Sequence, residues 1–177
     1  VASAVTVGPA SENGRHIGPV VNAVQWGKIQ DLIQKGIDEG ARLVAGGVGR
    51  PEGLNKGFYV RPTVFADVTP DMTIAREEIF GPVLAMMPFD TEEEAVEMAN
   101  DTVYGLTNYV QTQDGARLNR MARSLRSGMV EMNGQGRGAG SPFGGMKQSG
   151  NGREGGKYGL EDFLEVKAVS GWSNDAG

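Results

Sequence analysis

The sequence predicts an α/β fold: an open, mainly parallel sheet with flanking helices, followed by one late strand. Three observations carry this. Residues 83–132 alternate strand, helix, strand, helix, strand over short connections, which favours parallel strands with right-handed crossovers. An apolar stripe at helical spacing precedes them. At 39% apolar and 22% charged over 177 residues, the chain can bury a core as one domain, or one domain with an appendage.

The elements follow in order. Over residues 22–39, Ile29, Leu32, Ile33 and Ile37 place one apolar stripe on a helix, and Gly40 is a good stop. Arg42-Leu43-Val44-Ala45 reads as a short buried strand ending at Gly46-Gly47, and residues 49–57 as loop. Residues 59–68 are β-rich but interrupted by Pro62, which predicts two short strands or one edge strand. Residues 67–71 read as a turn and 83–89 as a strand. Thr91 and Glu94 form a capping box for a helix to about residue 100. Residues 106–111 are a second strand. Asp114 opens a helix to about 125 with Leu118, Met121, Ala122 and Leu125 on one side, where Arg123 and Arg126 suit the C-terminal dipole. Residues 129–132 are a third strand, and 162–170 read as a late strand outside the series, free to pair with a neighbour.

Composition excludes several chemistries. With 17 Lys and Arg against 22 Asp and Glu the net charge is −5, so no basic nucleic-acid footprint is expected. No apolar run approaches the roughly 18 residues of a membrane span. Residues 1–5 show no leader pattern, so no membrane partner and a cytoplasmic location are expected; a first residue other than Met suggests an excised or processed piece. Cysteine is absent, which removes disulfides, thiolate metal sites and any cysteine nucleophile within the chain. The single His16 reads as an ordinary loop residue. The eight Met residues fall mostly at apolar periodic positions and read as gap-filling core.

Glycine is the compositional surprise, with 28 residues, twelve of them in 128–159. The interleaved Pro142, Phe143, Met146, Arg153, Glu154 and Tyr158 favour a shaped loop over a flexible linker. Gly150-Asn151-Gly152-Arg153-Glu154-Gly155 fits a phosphate-loop pattern but lacks the preceding strand and the distant acidic partner. Of the carboxylate pairs, Glu77-Glu78 precedes Ile79-Phe80-Gly81-Pro82 at a loop-to-strand junction, a reasonable place for a ligand contact.

Several segments, in order, resemble the aldehyde dehydrogenase superfamily: Glu77-Glu78-Ile79-Phe80-Gly81-Pro82-Val83, then Tyr104-Gly105-Leu106, then Ser141-Pro142-Phe143-Gly144-Gly145-Met146-Lys147-Gln148-Ser149-Gly150 with Gly152-Arg153-Glu154. Earlier pieces agree, namely His16-Ile17-Gly18-Pro19-Val20, Gly36-Ile37-Asp38-Glu39-Gly40-Ala41 and Gly57-Phe58-Tyr59-Val60-Arg61-Pro62-Thr63-Val64. The resemblance covers about residues 6–170. It implies the later part of the catalytic domain over residues 1–161 and an oligomerisation strand and tail over 162–177. It implies a parent enzyme that oxidises an aldehyde to a carboxylic acid with NAD or NADP, as a homodimer or homotetramer. In that family a cysteine thiolate attacks the aldehyde, hydride passes to the cofactor and a glutamate-activated water hydrolyses the thioester. The resemblance places nucleophile, base and nucleotide-binding domain upstream of this segment, so the chain alone is expected to be inactive.

Further expectations come from the resemblance alone. Glu78 resembles the glutamate that accepts from the nicotinamide-ribose hydroxyls, and Phe80 the aromatic against the nicotinamide. Gln25 and Lys28 resemble helix residues approaching the cofactor. Phe143 and the loop 133–141 resemble a substrate-tunnel wall, where Arg137 is either a contact for an acidic substrate group or a solvated charge. Glu154 resembles either a proton-relay carboxylate or a buried, paired structural one. Arg153 and Glu165 resemble a charge pair near the subunit interface, and residues 164–170 a strand added to a partner's sheet. A non-catalytic assembly or binding module is the competing reading.

Overall fold

The computed structural model describes residues 4–172, so the tail expected over 173–177 and the first three residues of the leader reading lie outside the described residues. The chain divides into two compact units, Val1–Asp90 and Thr91–Gly177.

In the first unit, helix α1 (Ala23–Asp38) begins where the Asn22 side chain accepts from the Gln25 N–H at 2.9 Å. Gly40, at φ +91°, ends it as expected. The predicted stripe turns inward: Ile29 and Ile33 are fully buried, in one core with Ala41, Val60, Phe65, Val68 and Ile74, and Ile37 packs against it. Strands β1 (Arg42–Ala45), β2 (Thr63–Ala66) and β3 (Val83–Ala85) form a sheet in that order, antiparallel then parallel. A four-residue helix, α2 (Thr73–Arg76), lies between β2 and β3. The sequence did not signal α2, which is too short for a periodic stripe. It is held by a tertiary cap: both Glu39 carboxylate oxygens accept from Thr73, one from its N–H at 2.7 Å and one from its hydroxyl at 2.6 Å.

Two expectations in this unit are corrected. The strand at 42–45 is an exposed edge, not a buried strand, with Leu43 and Val44 about half open. The 59–68 segment supplies the buried central strand, not an edge. Pro62 stands just before β2, where its missing N–H removes no ladder bond.

In the second unit, α3 (Glu92–Asn100) starts at Thr91, whose hydroxyl accepts from the Glu94 N–H. Strand β4 (Thr107–Val110), helix α4 (Gly115–Ser124) and strand β5 (Met129–Met132) follow, with β4 and β5 parallel in register from Thr107 opposite Met129 to Val110 opposite Met132. Asp114 caps α4 by accepting from the Ala116 and Arg117 N–H groups. The three strands predicted from 83–132 do not make one sheet: β3 pairs with β2, and β4–β5 form a separate two-stranded sheet. Short alternating segments give strand direction but not neighbours.

The glycine-rich stretch is a shaped loop, as expected. Phe143 and Glu154 exchange backbone hydrogen bonds at 2.8 and 2.7 Å. A Cβ on Gly128 would stand 1.8 Å from the Gly144 carbonyl oxygen. Helix α5 (Gly156–Glu161) closes the loop. Residues 164–170 form no strand within the chain and are exposed. The methionine expectation holds for Met121 and Met129, which are buried, but Met86 and Met146 are exposed. His16 is a loop residue whose Nε2 lies 2.8 Å from the Pro9 carbonyl oxygen.

Candidate functional site

The Glu77–Pro82 connection leaves α2 and enters β3. Its backbone is unusual at Phe80, whose φ of +54° is left-handed and uncommon for an aromatic residue. Phe80 is 68% exposed. Glu78 is also exposed, and among the described residues its carboxylate has neither hydrogen bond nor ion pair. Gln25, from the first turn of α1, reaches across 54 positions of sequence. Its Nε2 donates to the Ile79 carbonyl at 3.1 Å and to the Phe80 carbonyl at 3.3 Å. Lys28, one turn on, is exposed. Gly81 lies against α1, where a Cβ would meet Ile29 at 2.7 Å.

Three of the four residues expected at the cofactor, Glu78, Phe80 and Gln25, therefore gather at one turn, and Lys28 lies on the same helix as Gln25. Sequence reasoning missed what holds that helix. The Trp26 Nε1 donates to the Tyr59 carbonyl at 2.8 Å, and the Arg50 guanidinium stacks 4.6 Å from the Trp26 ring. Neither contact has a local sequence signal, because each joins α1 to a segment more than twenty residues away.

In the second unit, the glycine loop frames an open depression of about 450 Å³ lined by Leu106, Phe143, Arg153, Glu154, Asp162 and Phe163 among others. Arg137 stacks 4.9 Å from the Phe143 ring, so that cation lies against the expected tunnel wall. Glu154 shares its backbone bridge with Phe143, and within this chain its side chain is exposed. The Arg153 guanidinium donates to the carbonyls of Gly145, Asn151 and Gly152. Its expected partner Glu165 is exposed beyond α5, and among the described residues the two form no ion pair. Sequence reasoning also missed Lys147, whose ammonium donates to the Asn100 and Thr102 carbonyls at 2.9 Å and closes the C-terminal end of α3.

One strongly perturbed carboxylate lies apart from both regions. Glu92 accepts from Arg120 and from Arg117, which hold its pKa down at about 2. This grouping ties α3 to α4 and lies outside the depression framed by the glycine loop. Among the described residues no cluster of His, Asp or Glu could hold a metal ion, and no helix is long and apolar enough to cross a membrane.

Comparison with known proteins shows the family. The aldehyde dehydrogenase family model matches residues 1–169. A 3-succinoylsemialdehyde-pyridine dehydrogenase of Pseudomonas sp. is 50% identical over 168 residues, covering 95% of this chain and 35% of that protein. Among solved structures, an aldehyde dehydrogenase from Bartonella henselae superposes with a TM-score of 0.94 at 61% identity, covering 97% of this chain and 36% of that one. A mutant of aldehyde dehydrogenase C from Pseudomonas syringae, complexed with NAD+ and octanal, gives a TM-score of 0.94 at 48% identity, covering 98% of this chain and 36% of that one. The chain thus spans little more than a third of the length of these relatives. A match over almost all of its residues in sequence, together with close superposition of its backbone, makes this chain a member of the aldehyde dehydrogenase family.

Proposed function

We propose that the chain is the later part of an NAD(P)-dependent aldehyde dehydrogenase that oxidises an aldehyde to a carboxylic acid. In this reading it presents the nicotinamide-ribose contact at Glu78 and Phe80, one wall of the substrate tunnel at Phe143, and a subunit-contact tail for a homo-oligomer. The observation that carries the reading is a family match along nearly the whole chain in a sequence without a single cysteine. The thiolate must then come from polypeptide outside these residues.

The turn fits such a cofactor. An unpartnered carboxylate is an acceptor-only group that two neighbouring hydroxyls can satisfy at once. An exposed aromatic ring two residues on offers a flat apolar surface beside it. When bound, NAD(P)+ supplies the hydride acceptor. The contribution of this chain is orientation: Glu78 holds the ribose and Phe80 limits where the adjoining ring can lie. In this reading Glu154, exposed at the glycine loop, is the candidate proton-relay carboxylate.

Two measurements test this. The purified chain, mixed with octanal and NAD+, should give no NADH absorbance above buffer; clear turnover would overturn the need for an external thiolate. In the longer protein that carries this chain, Glu78→Gln should slow single-turnover hydride transfer by roughly tenfold to a hundredfold, the worth of a hydrogen bond to a charged group. Wild-type transfer and cofactor affinity in that variant would remove Glu78 from the site.

A further inference from the structure

We infer that Gln25 is a positioning residue: it clamps the Ile79–Phe80 turn with both hydrogens of its amide, and is not itself the donor that a cofactor meets. The inference rests on the cofactor reading of the turn and deepens it. A glutamine side chain has two N–H donors and one carbonyl acceptor. Here Nε2 faces the Ile79 carbonyl at 3.1 Å and the Phe80 carbonyl at 3.3 Å, so both donors are committed within the protein. Among the described residues these two carbonyls receive no other hydrogen bond.

The turn needs such a clamp. Phe80 is held at φ +54°, a region that a bulky side chain keeps only when its surroundings impose it. Three contacts impose it. Gln25 grips the two carbonyls, Gly81 rests on Ile29 with no room for a Cβ, and the Pro82 carbonyl accepts from the Thr63 N–H at 2.9 Å. The grip is itself anchored. The Gln25 N–H donates to Asn22, and the next residue, Trp26, is fastened to the Tyr59 carbonyl. What remains for a ligand at Gln25 is Oε1, an acceptor like the Glu78 carboxylate. A ligand seated there must bring its own donors, as a ribose diol does.

The test uses the longer protein that carries this chain, with two substitutions that separate clamp from ligand. Gln25→Glu keeps an acceptor but loses both donors; Gln25→Met loses everything polar. A clamp predicts that the two behave alike. In cofactor-free protein, hydrogen exchange in residues 78–83 should rise several-fold in both, with residues 91–100 as the unchanged reference. Single-turnover hydride transfer should fall about tenfold in both while the NAD+ dissociation constant moves much less, since orientation is lost before contact. Unchanged exchange at 78–83 overturns the inference, and so does a Glu variant with wild-type transfer beside an impaired Met variant. The cofactor reading fails separately, through an indifferent Glu78→Gln, and the exchange result would stand without it.

Discussion

At the scale of single residues, backbone approach decides what the site tolerates. Gly81 lets the turn lie directly on α1. A methyl group there would press on the Ile29 side chain at 2.7 Å, so Gly81→Ala should destabilise the protein by about 1–3 kcal/mol, the usual range for overpacking. A urea melt measures it, and a midpoint equal to wild type would show that Ile29 yields freely. Gly128→Ala should be harsher. Its methyl would meet the Gly144 carbonyl at 1.8 Å, and backbone cannot rotate aside as a side chain can. Loss of protection from proteolysis within residues 140–155 is the expected sign. The sequence marked the glycine cluster as shaped, but not which glycines touch which strands, because a close approach is a property of two segments. It marked Glu78 and Phe80 through a motif, whereas the bond from Gln25 joins positions 54 apart.

At the scale of elements, caps were the most legible feature. Thr91 and Asp114, which the sequence marks, and Asn22, which it did not single out, each accept from an N–H in the first turn they precede, because a short oxygen-bearing side chain satisfies a helix start locally. Thr91→Ala should therefore cost about 1 kcal/mol in a denaturant melt. The link between α3 and α4 was not legible. Glu92 sits 25 residues from Arg117 and 28 from Arg120. The hydrogen bond from Arg120 first, then that from Arg117, lowers the Glu92 pKa from 4.5 to about 2. A depressed folded pKa gives stability that is present above the unfolded value of 4.5 and lost as pH falls toward 2. Glu92→Gln should thus be less stable than wild type near neutral pH, and the gap should close as pH is lowered through that window. A gap independent of pH would assign the effect to packing.

At the scale of the whole molecule, two facts dominate: the chain holds no cysteine, and it leaves large apolar side chains in water. Phe163, in the turn that ends α5, and Val166 and Trp172 beyond it are 87%, 99% and 77% exposed. Such surface favours association. Deleting residues 163–177 from the longer protein should weaken its oligomer, and an unchanged assembly by light scattering would reject the subunit-contact role. The same exposure explains why the late strand was legible as a pattern yet forms no strand here. Period-two apolar residues predict a pairing edge, but a ladder requires a second strand, and no described segment of this chain supplies one.

Local information lies wholly in the sequence, and it determined α1, α3, α4, the caps of α3 and α4, β4 and β5, and the family through ordered motifs. It also determined that no thiol chemistry can arise within these residues. Only the tertiary structure decided that β2 is central and β1 an edge, that β3 belongs with β2 while β4 and β5 pair apart, that Glu39 builds α2, and that Gln25 closes on Phe80. The physical reason is common to all four. Periodicity and capping depend on neighbours within one turn of helix or one pleat of strand, whereas strand order, tertiary caps and clamps depend on which distant surfaces bury each other.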